Sequence, residues 1–193
     1  MTKWLSHRMV ERGIIKEEEQ ELYQFGIRNG MILLLNVVTA LVIGLLTEQL
    51  AVVAVFTLSF MVLRSYTGGY HSDSRIFCYL GSNLVLLVPV YTQAVFYKTS
   101  LAWLLAVLLV SAGIIFLLSP MHSKNQKLDK EEQKHFGRKA RLIAALELAV
   151  LGILWHAGQI PYAYAVYTGI CITALFMIVG KAQLWIQSHT ENG

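Results

Sequence analysis

Six long apolar stretches constrain this chain more than any other feature. They cover residues 27–46, 50–66, 76–97, 101–118, 142–157 and 160–180, each 16 to 22 residues long. A helix needs roughly 20 apolar residues to cross a bilayer. In lipid, only helices and closed barrels satisfy their own backbone. None of the six stretches alternates polar with apolar residues, as barrel strands do. The expectation is an all-α polytopic membrane protein with six transmembrane helices. Composition agrees, with 55% hydrophobic and 15% charged residues and a mean hydropathy of +0.53. A soluble domain carries about 25% charged residues, so soluble globular and disordered classes are excluded. A length of 193 residues suits one domain, 1–193, with the six-helix bundle over 27–180.

Residues 1–26 read as an amphipathic segment before the bundle. Trp4, Leu5, Met9 and Val10 share one helical face, opposite Lys3, Ser6, His7 and Glu11, and Gly13 breaks the pattern. Further on, Leu22 and Phe25 lie opposite the acidic run Glu17-Glu18-Glu19. Helices lying in a membrane interface have this pattern, and so does a solvated lead-in helix. Lys3, Arg8, Arg12 and Lys16 surround short apolar pieces with no long apolar core and no cleavage site, unlike a secretory signal.

Charge orients the spans. With six crossings, 15 of the 16 Lys/Arg fall on one side and only Lys98 on the other. Basic residues stay cytosolic, so both termini, residues 64–78 and the basic stretch 119–141 are expected in the cytosol. The net charge of +4 is absorbed by topology, and nucleic acid is not expected as a partner.

Chemistry concentrates between spans two and three, in Arg64-Ser-Tyr-Thr-Gly-Gly-Tyr-His71-Ser-Asp-Ser-Arg-Ile-Phe-Cys78. Gly68 and Gly69 allow a sharp bend, and Ser72 and Asp73 are good helix N-caps. A cysteine in the first turns of a helix, near an imidazolium, is favoured as thiolate and becomes a nucleophile. If residues 71–78 were all helical, His71 and Cys78 would be separated by about 10 Å. Proton transfer at about 3 Å therefore needs His71 on a loop folded back over the helix start. An interfacial histidine and a small buried cysteine would leave the same residues in the sequence.

Other candidates carry less. Cys171 lies mid-span and reads as packing. His122 and His135 have no cysteine nearby, so zinc spacing is absent and no metal or cofactor is expected. Two cysteines are too few for a disulfide framework. Glu147, costly if it faced lipid, should face the bundle interior, paired with a base such as Arg141 or Arg64. Asn36 and Asn83 read as interhelical hydrogen-bond partners, and Pro89 as a kink.

The run Arg64-x4-Gly69-x-His71-x6-Cys78, at a membrane–cytosol boundary, resembles the accessory gene regulator B (AgrB) family. The basic amphipathic N-terminus, and Ser119-Pro120 followed by a lysine-rich stretch after span four, are similar as well. The resemblance implies a membrane cysteine endopeptidase of Gram-positive quorum sensing, in the plasma membrane. Such a protein removes the C-terminal tail of an AgrD-like precursor and promotes its closure to a cyclic thiolactone. By the same resemblance Cys78 is the nucleophile and His71 the general base and acid. Arg64 and Gly69 support them, Arg64 by holding a carboxylate and Gly69 by allowing a tight turn. Asp73 tempts a Cys-His-Asp triad but matches no position of the family pattern. Lys124, Lys127, Lys130 and Lys134, with Glu147, are candidates for binding the precursor. The expected partners are that precursor and the lipid bilayer, with a second copy of the chain as a further candidate. A transporter, or a docking scaffold for a peptide, is the reading of a different class.

Overall fold

The computed structural model describes residues 2–68, 75–121 and 130–190, in which helices alternate with short links. Side chains are described for all of these except 2, 3, 5, 28, 29, 75–80, 130–132 and 187–190. Among the described residues there is no strand, so the chain is all-helical. It divides into two compact units, residues 1–39 and 40–193.

The first unit holds α1 (Thr2–Glu11), a 3-10 turn (Glu17–Glu19) and the beginning of α2 (Gln20–Leu46). Helix α1 stops where the Gly13 and Ile14 amides turn back to the Val10 and Met9 carbonyls, both at 2.9 Å. The acidic run lies at the start of α2, where carboxylates complement the helix dipole, and Glu19 accepts from the Lys16 amide at 3.2 Å. The faces of α1 differ from the expected ones. Ser6 is fully buried and Trp4 is 58% exposed, so the inward face runs through Ser6, Met9 and Val10. A serine takes little room in a close contact, whereas an indole keeps one polar edge suited to an interface. The Arg8 guanidinium lies 4.5 Å from the centre of the Trp4 ring.

The second unit holds α3 (Leu50–Thr67), α4 (Arg75–Tyr91), α5 (Gln93–Lys98), α6 (Leu101–Leu118), α7 (Lys130–His156) and α8 (Ile160–Thr190). Helix α8 is its axis and packs against α3, α4, α6 and α7. Two apolar clusters bind these helices together. Leu63, Leu108, Ile115, Ala144, Ile170 and Met177 join α3, α6, α7 and α8. Ala40, Val53, Phe56, Leu86 and Ala165 join the end of α2 to α3, α4 and α8. The outer faces are also apolar: Leu105, Leu109, Val110 and Leu117 of α6 are exposed. Such a surface is costly in water and compatible with lipid.

Among the described residues, four helical segments are long and apolar enough to cross a membrane: Glu17–Leu46, Leu50–Thr67, Leu101–Leu118 and Ile160–Ile186. The third and fifth expected spans are helical but are not among them, for different reasons. Helix α4 has 17 residues and is interrupted at Thr92 before α5 resumes. The chain runs helically through Pro89 and breaks three residues beyond it. There the Thr92 hydroxyl bonds the Val88 carbonyl at 2.8 Å and shares a hydrogen bond with the Tyr164 hydroxyl of α8. Helix α7 carries its charges within the helix. Its 27 residues reach about 40 Å, so the second half of the basic stretch 119–141 is helical and continuous with the apolar segment.

Candidate active site

The last turn of α3 is where three segments far apart in sequence meet. An α-helix leaves its last four carbonyls without partners inside the helix. One of these, the Thr67 carbonyl, accepts the Met121 amide at 2.9 Å, from the segment that follows α6. Thr67 is fully buried. The next residue, Gly68, has φ +72° and ψ −150°, a region open essentially to glycine alone. A Cβ at position 68 would also collide with the Met121 carbonyl oxygen. The Gly68 carbonyl accepts from Arg64 Nη1 at 3.4 Å. The Arg64 guanidinium is seated over the Phe176 ring of α8 at 4.7 Å. Arg64 therefore holds the Gly68 carbonyl at the end of α3.

The start of α7 completes the junction. Gly137 lies so close to Ser119 and Pro120 that a Cβ there would approach Pro120 Cδ to 2.9 Å. Tyr66 of α3 meets Phe136 at 6.4 Å between ring centres. Lys139 Nζ lies 6.0 Å from the centre of the Tyr66 ring. Arg141 donates Nε to the Phe116 carbonyl at 3.1 Å, placing a cation at the C-terminal end of α6, where the dipole favours one. Lys134, Arg138 and Lys139 are exposed on α7. The basic helix and the exit of α3 thus share one corner of this unit.

Cys78 is the fourth residue of α4 as described, in its first turn. Its side chain lies outside the described residues, as does that of Lys130. Gly69, His71, Ser72, Asp73, His122, Lys124 and Lys127 also lie outside them. Among the described residues, no group of three His, Cys, Asp or Glu could hold a metal ion.

A second polar site is buried along the bundle. Glu147 Oε2 of α7 accepts the Ser59 hydroxyl of α3 at 2.9 Å. Its partner is a hydroxyl, whereas Arg141 and Arg64 both donate to backbone carbonyls. Spacing accounts for the difference, because Arg141 starts about 9 Å along the α7 axis from Glu147. Gly169 of α8 makes room for the pair: a Cβ there would lie 2.6 Å from Ser59 Oγ. Cys171 is half-buried within reach of Ser111 and Tyr167. It borders an apolar groove of about 330 Å³ between α6 and α8. Another apolar cavity, about 280 Å³, lies among Phe96, Leu101, Leu108, Trp155 and Tyr167. The Asn36 and Asn83 side-chain oxygens are buried without a hydrogen-bond partner among the described residues.

The sequence reading named Arg64, as the holder of a carboxylate, and the Gly68-Gly69 turn, and it missed Met121, Ser59, Gly169 and Phe176. The adjacent glycines 68 and 69 signalled a turn, but nothing local separated the one held against Met121 from its neighbour. The others take their roles from contacts between distant segments, which a one-dimensional pattern does not carry.

Comparison with known proteins places the chain. A relative from Clostridium perfringens strain SM101, named as AgrB-like, is 23% identical over 148 residues, 74% of this chain and 69% of its own length. A second, named as AgrB-like protein 2, from strain 13 of the same species, is 24% identical over 131 residues, covering 65% and 61%. The chain thus spans about two thirds of the length of these relatives. No solved structure matches it. The family model of accessory gene regulator B matches residues 1–179. That match takes in the Arg64–Cys78 run, the α3 exit and the basic start of α7, and the chain belongs to the AgrB family of quorum-sensing peptide processing.

Proposed function

We propose that this protein is a membrane cysteine endopeptidase that removes the C-terminal tail of an AgrD-like precursor and promotes thiolactone formation. The observation that carries this reading is the run Arg64-x4-Gly69-x-His71-x6-Cys78 inside the family match over residues 1–179. The first-turn position of Cys78 in α4 supports it, since the positive end of a helix favours a thiolate.

Cys78 gives its proton to His71 and attacks the scissile carbonyl. As the tetrahedral intermediate collapses, His71 returns that proton to the leaving amine, and the tail departs. The precursor remains as a thioester on Cys78. A thiol within the precursor then attacks this thioester, its proton passes through His71 to the departing Cys78 sulfur, and the ring closes. Water would compete for the acyl group, and a site at the membrane boundary limits its access.

In this reading the chain crosses the plasma membrane of a Gram-positive bacterium six times, with α4–α5 and α7 as the third and fifth spans. Both termini and the active site face the cytosol, because this arrangement puts 15 of 16 Lys/Arg there. The basic stretch 119–141 binds the tail of the precursor, which the family resemblance makes acidic, through Lys124, Lys127, Lys130 and Lys134.

The test is coexpression with a precursor, following its truncation. Cys78→Ala and His71→Ala should each abolish truncation while the protein stays in the membrane. Cys171→Ala should cleave normally. Near-wild-type cleavage by Cys78→Ala would end the endopeptidase reading.

A further inference from the structure

The apolar cavity of about 280 Å³ lies at the end of the second unit where α6 and α8 start and α7 ends. It follows α6 from Leu101 to Leu108, a depth of about 10 Å. One wall is a fixed aromatic group. The Phe96 ring centre lies 4.8 Å from that of Tyr164, 5.4 Å from Tyr167 and 6.3 Å from Trp155, and the Thr92–Tyr164 hydrogen bond ties α5 to α8 beside it. Helix α7 lines the cavity with Gly152, in the helix interior. Glycine is unfavourable there, and no neighbour demands it, because a Cβ at position 152 would meet nothing within 4 Å. Its lack of a side chain leaves the cavity wide.

The mouth has a different chemistry. His156, exposed at the end of α7, belongs to the lining. Lys98 is exposed at the end of α5, between the lining residues Phe96 and Leu101 in sequence. Its backbone starts within about 11 Å of Leu101. Glu48, the acidic residue at this end among the described residues, belongs to the α2–α3 link and lines no part of the cavity. Tyr97, Trp103 and Trp155 are exposed around the mouth, and such rings mark the headgroup level of a bilayer. The mouth therefore lies at headgroup depth and the body of the cavity in the hydrocarbon.

We propose that this cavity is a binding site for one acyl chain of an anionic phospholipid, with the phosphate held at the mouth by Lys98 and His156. Unfilled apolar space forfeits dispersion contacts along its lining, and an alkyl chain restores them without burying a polar group. Small-molecule pockets span roughly 300–1,000 Å³, so a cavity of this size suits one slender chain. The cation selects the headgroup, since a lysine near an anionic lipid surface contributes about fivefold in affinity. Such a site is independent of the endopeptidase reading, and no precursor is needed to test it.

The probe is phosphatidylglycerol with brominated acyl chains, added at rising mole fraction to phosphatidylcholine bilayers that hold the full-length chain. Trp4, Trp103 and Trp185, all exposed, are changed to phenylalanine so that Trp155 alone reports. Its emission should be quenched saturably, at a mole fraction about fivefold lower than with brominated phosphatidylcholine. Gly152→Leu fills the cavity from a helix that gains by losing a glycine, and should abolish the saturable part. Lys98→Gln with His156→Gln should bring phosphatidylglycerol to the level of phosphatidylcholine. Quenching proportional to mole fraction and alike for both lipids would overturn the proposal, since it reports only the surrounding bilayer. Saturable quenching that survives in folded Gly152→Leu would overturn it too, by placing the chain elsewhere. A preference for phosphatidylglycerol that withstands the double glutamine change would do the same for the assigned headgroup contacts. If Gly152→Leu does not fold, the double glutamine variant decides, because both of its changes are at exposed positions.

Discussion

Replacing Ser59 with alanine removes the hydroxyl that reaches Glu147 Oε2 at 2.9 Å, and the structure bounds the cost. Ser59 is 8% exposed, and a lost oxygen leaves less room than a water molecule requires. The carboxyl is left with an unmet acceptor in an apolar bundle, a loss of about 1–3 kcal/mol. Removing both polar groups, as in Ser59→Ala with Glu147→Met, should cost less than the sum of the single changes, since replacing both partners by apolar groups is often nearly neutral. The coupling should fall within about 0.5–3 kcal/mol, the usual range for residues in contact. Gly169 offers an independent check. Its added Cβ would lie 2.6 Å from Ser59 Oγ but 3.3 Å from Ser59 Cβ. Gly169→Ala should therefore destabilise the wild type by about 1–3 kcal/mol through overpacking, and distinctly less in the Ser59→Ala background. The assay is unfolding of the purified protein in mixed micelles on titration with denaturing detergent, for each corner of both cycles. Effects additive to within about 0.5 kcal/mol in both cycles would refute the reasoning and show that Ser59 does not hold the carboxyl.

Two further outcomes follow from charge. Reporter fusions at Lys124 and Glu191 should both read as cytosolic; an external signal at Glu191 with a cytosolic one at Lys124 would mean that the segment carrying Glu147 does not cross the membrane. Changing Lys124, Lys127, Lys130 and Lys134 together to glutamine should raise KM for precursor truncation with kcat little changed, the mark of lost uniform binding. The wild-type KM should itself rise with salt, because exposed charges are screened over about 8 Å at physiological ionic strength. An unchanged KM without salt dependence would show that these lysines serve orientation alone.

Several helix ends were legible in the sequence, whereas α2, α7 and α8 run well beyond the expected spans, to Gln20, Lys130 and Thr190. The sequence reading ended span one at Leu46 and began span two at Leu50, as α2 and α3 do, and its fourth span coincides with α6. This follows because a helix in an apolar setting depends on the summed hydrophobicity of consecutive residues, a local property. The family run of residues 64–78 was legible for a related reason, since the spacing of Arg64, Gly69, His71 and Cys78 lies within 15 residues of chain. What the sequence left open depends on contacts across the bundle. Glu147 took its partner from a residue 88 positions away, where charge alone had suggested an arginine. At the break, Thr92 shares a hydrogen bond with Tyr164, 72 positions on, a contact that could not be placed from Pro89. The Gly68-Gly69 pair reads as a turn in the sequence, and the approach of Met121 to Gly68 is seen only in the structure. The basic stretch 119–141 reads as one loop, yet Met121 is bonded to the end of α3 and residues 130–141 belong to α7. The sequence by itself determined which segments are helical and where the Arg64–Cys78 run falls along the chain. The tertiary structure decided which carbonyl, hydroxyl and glycine those helices present to one another, because that depends on how rigid helices pack side by side and no single segment encodes it.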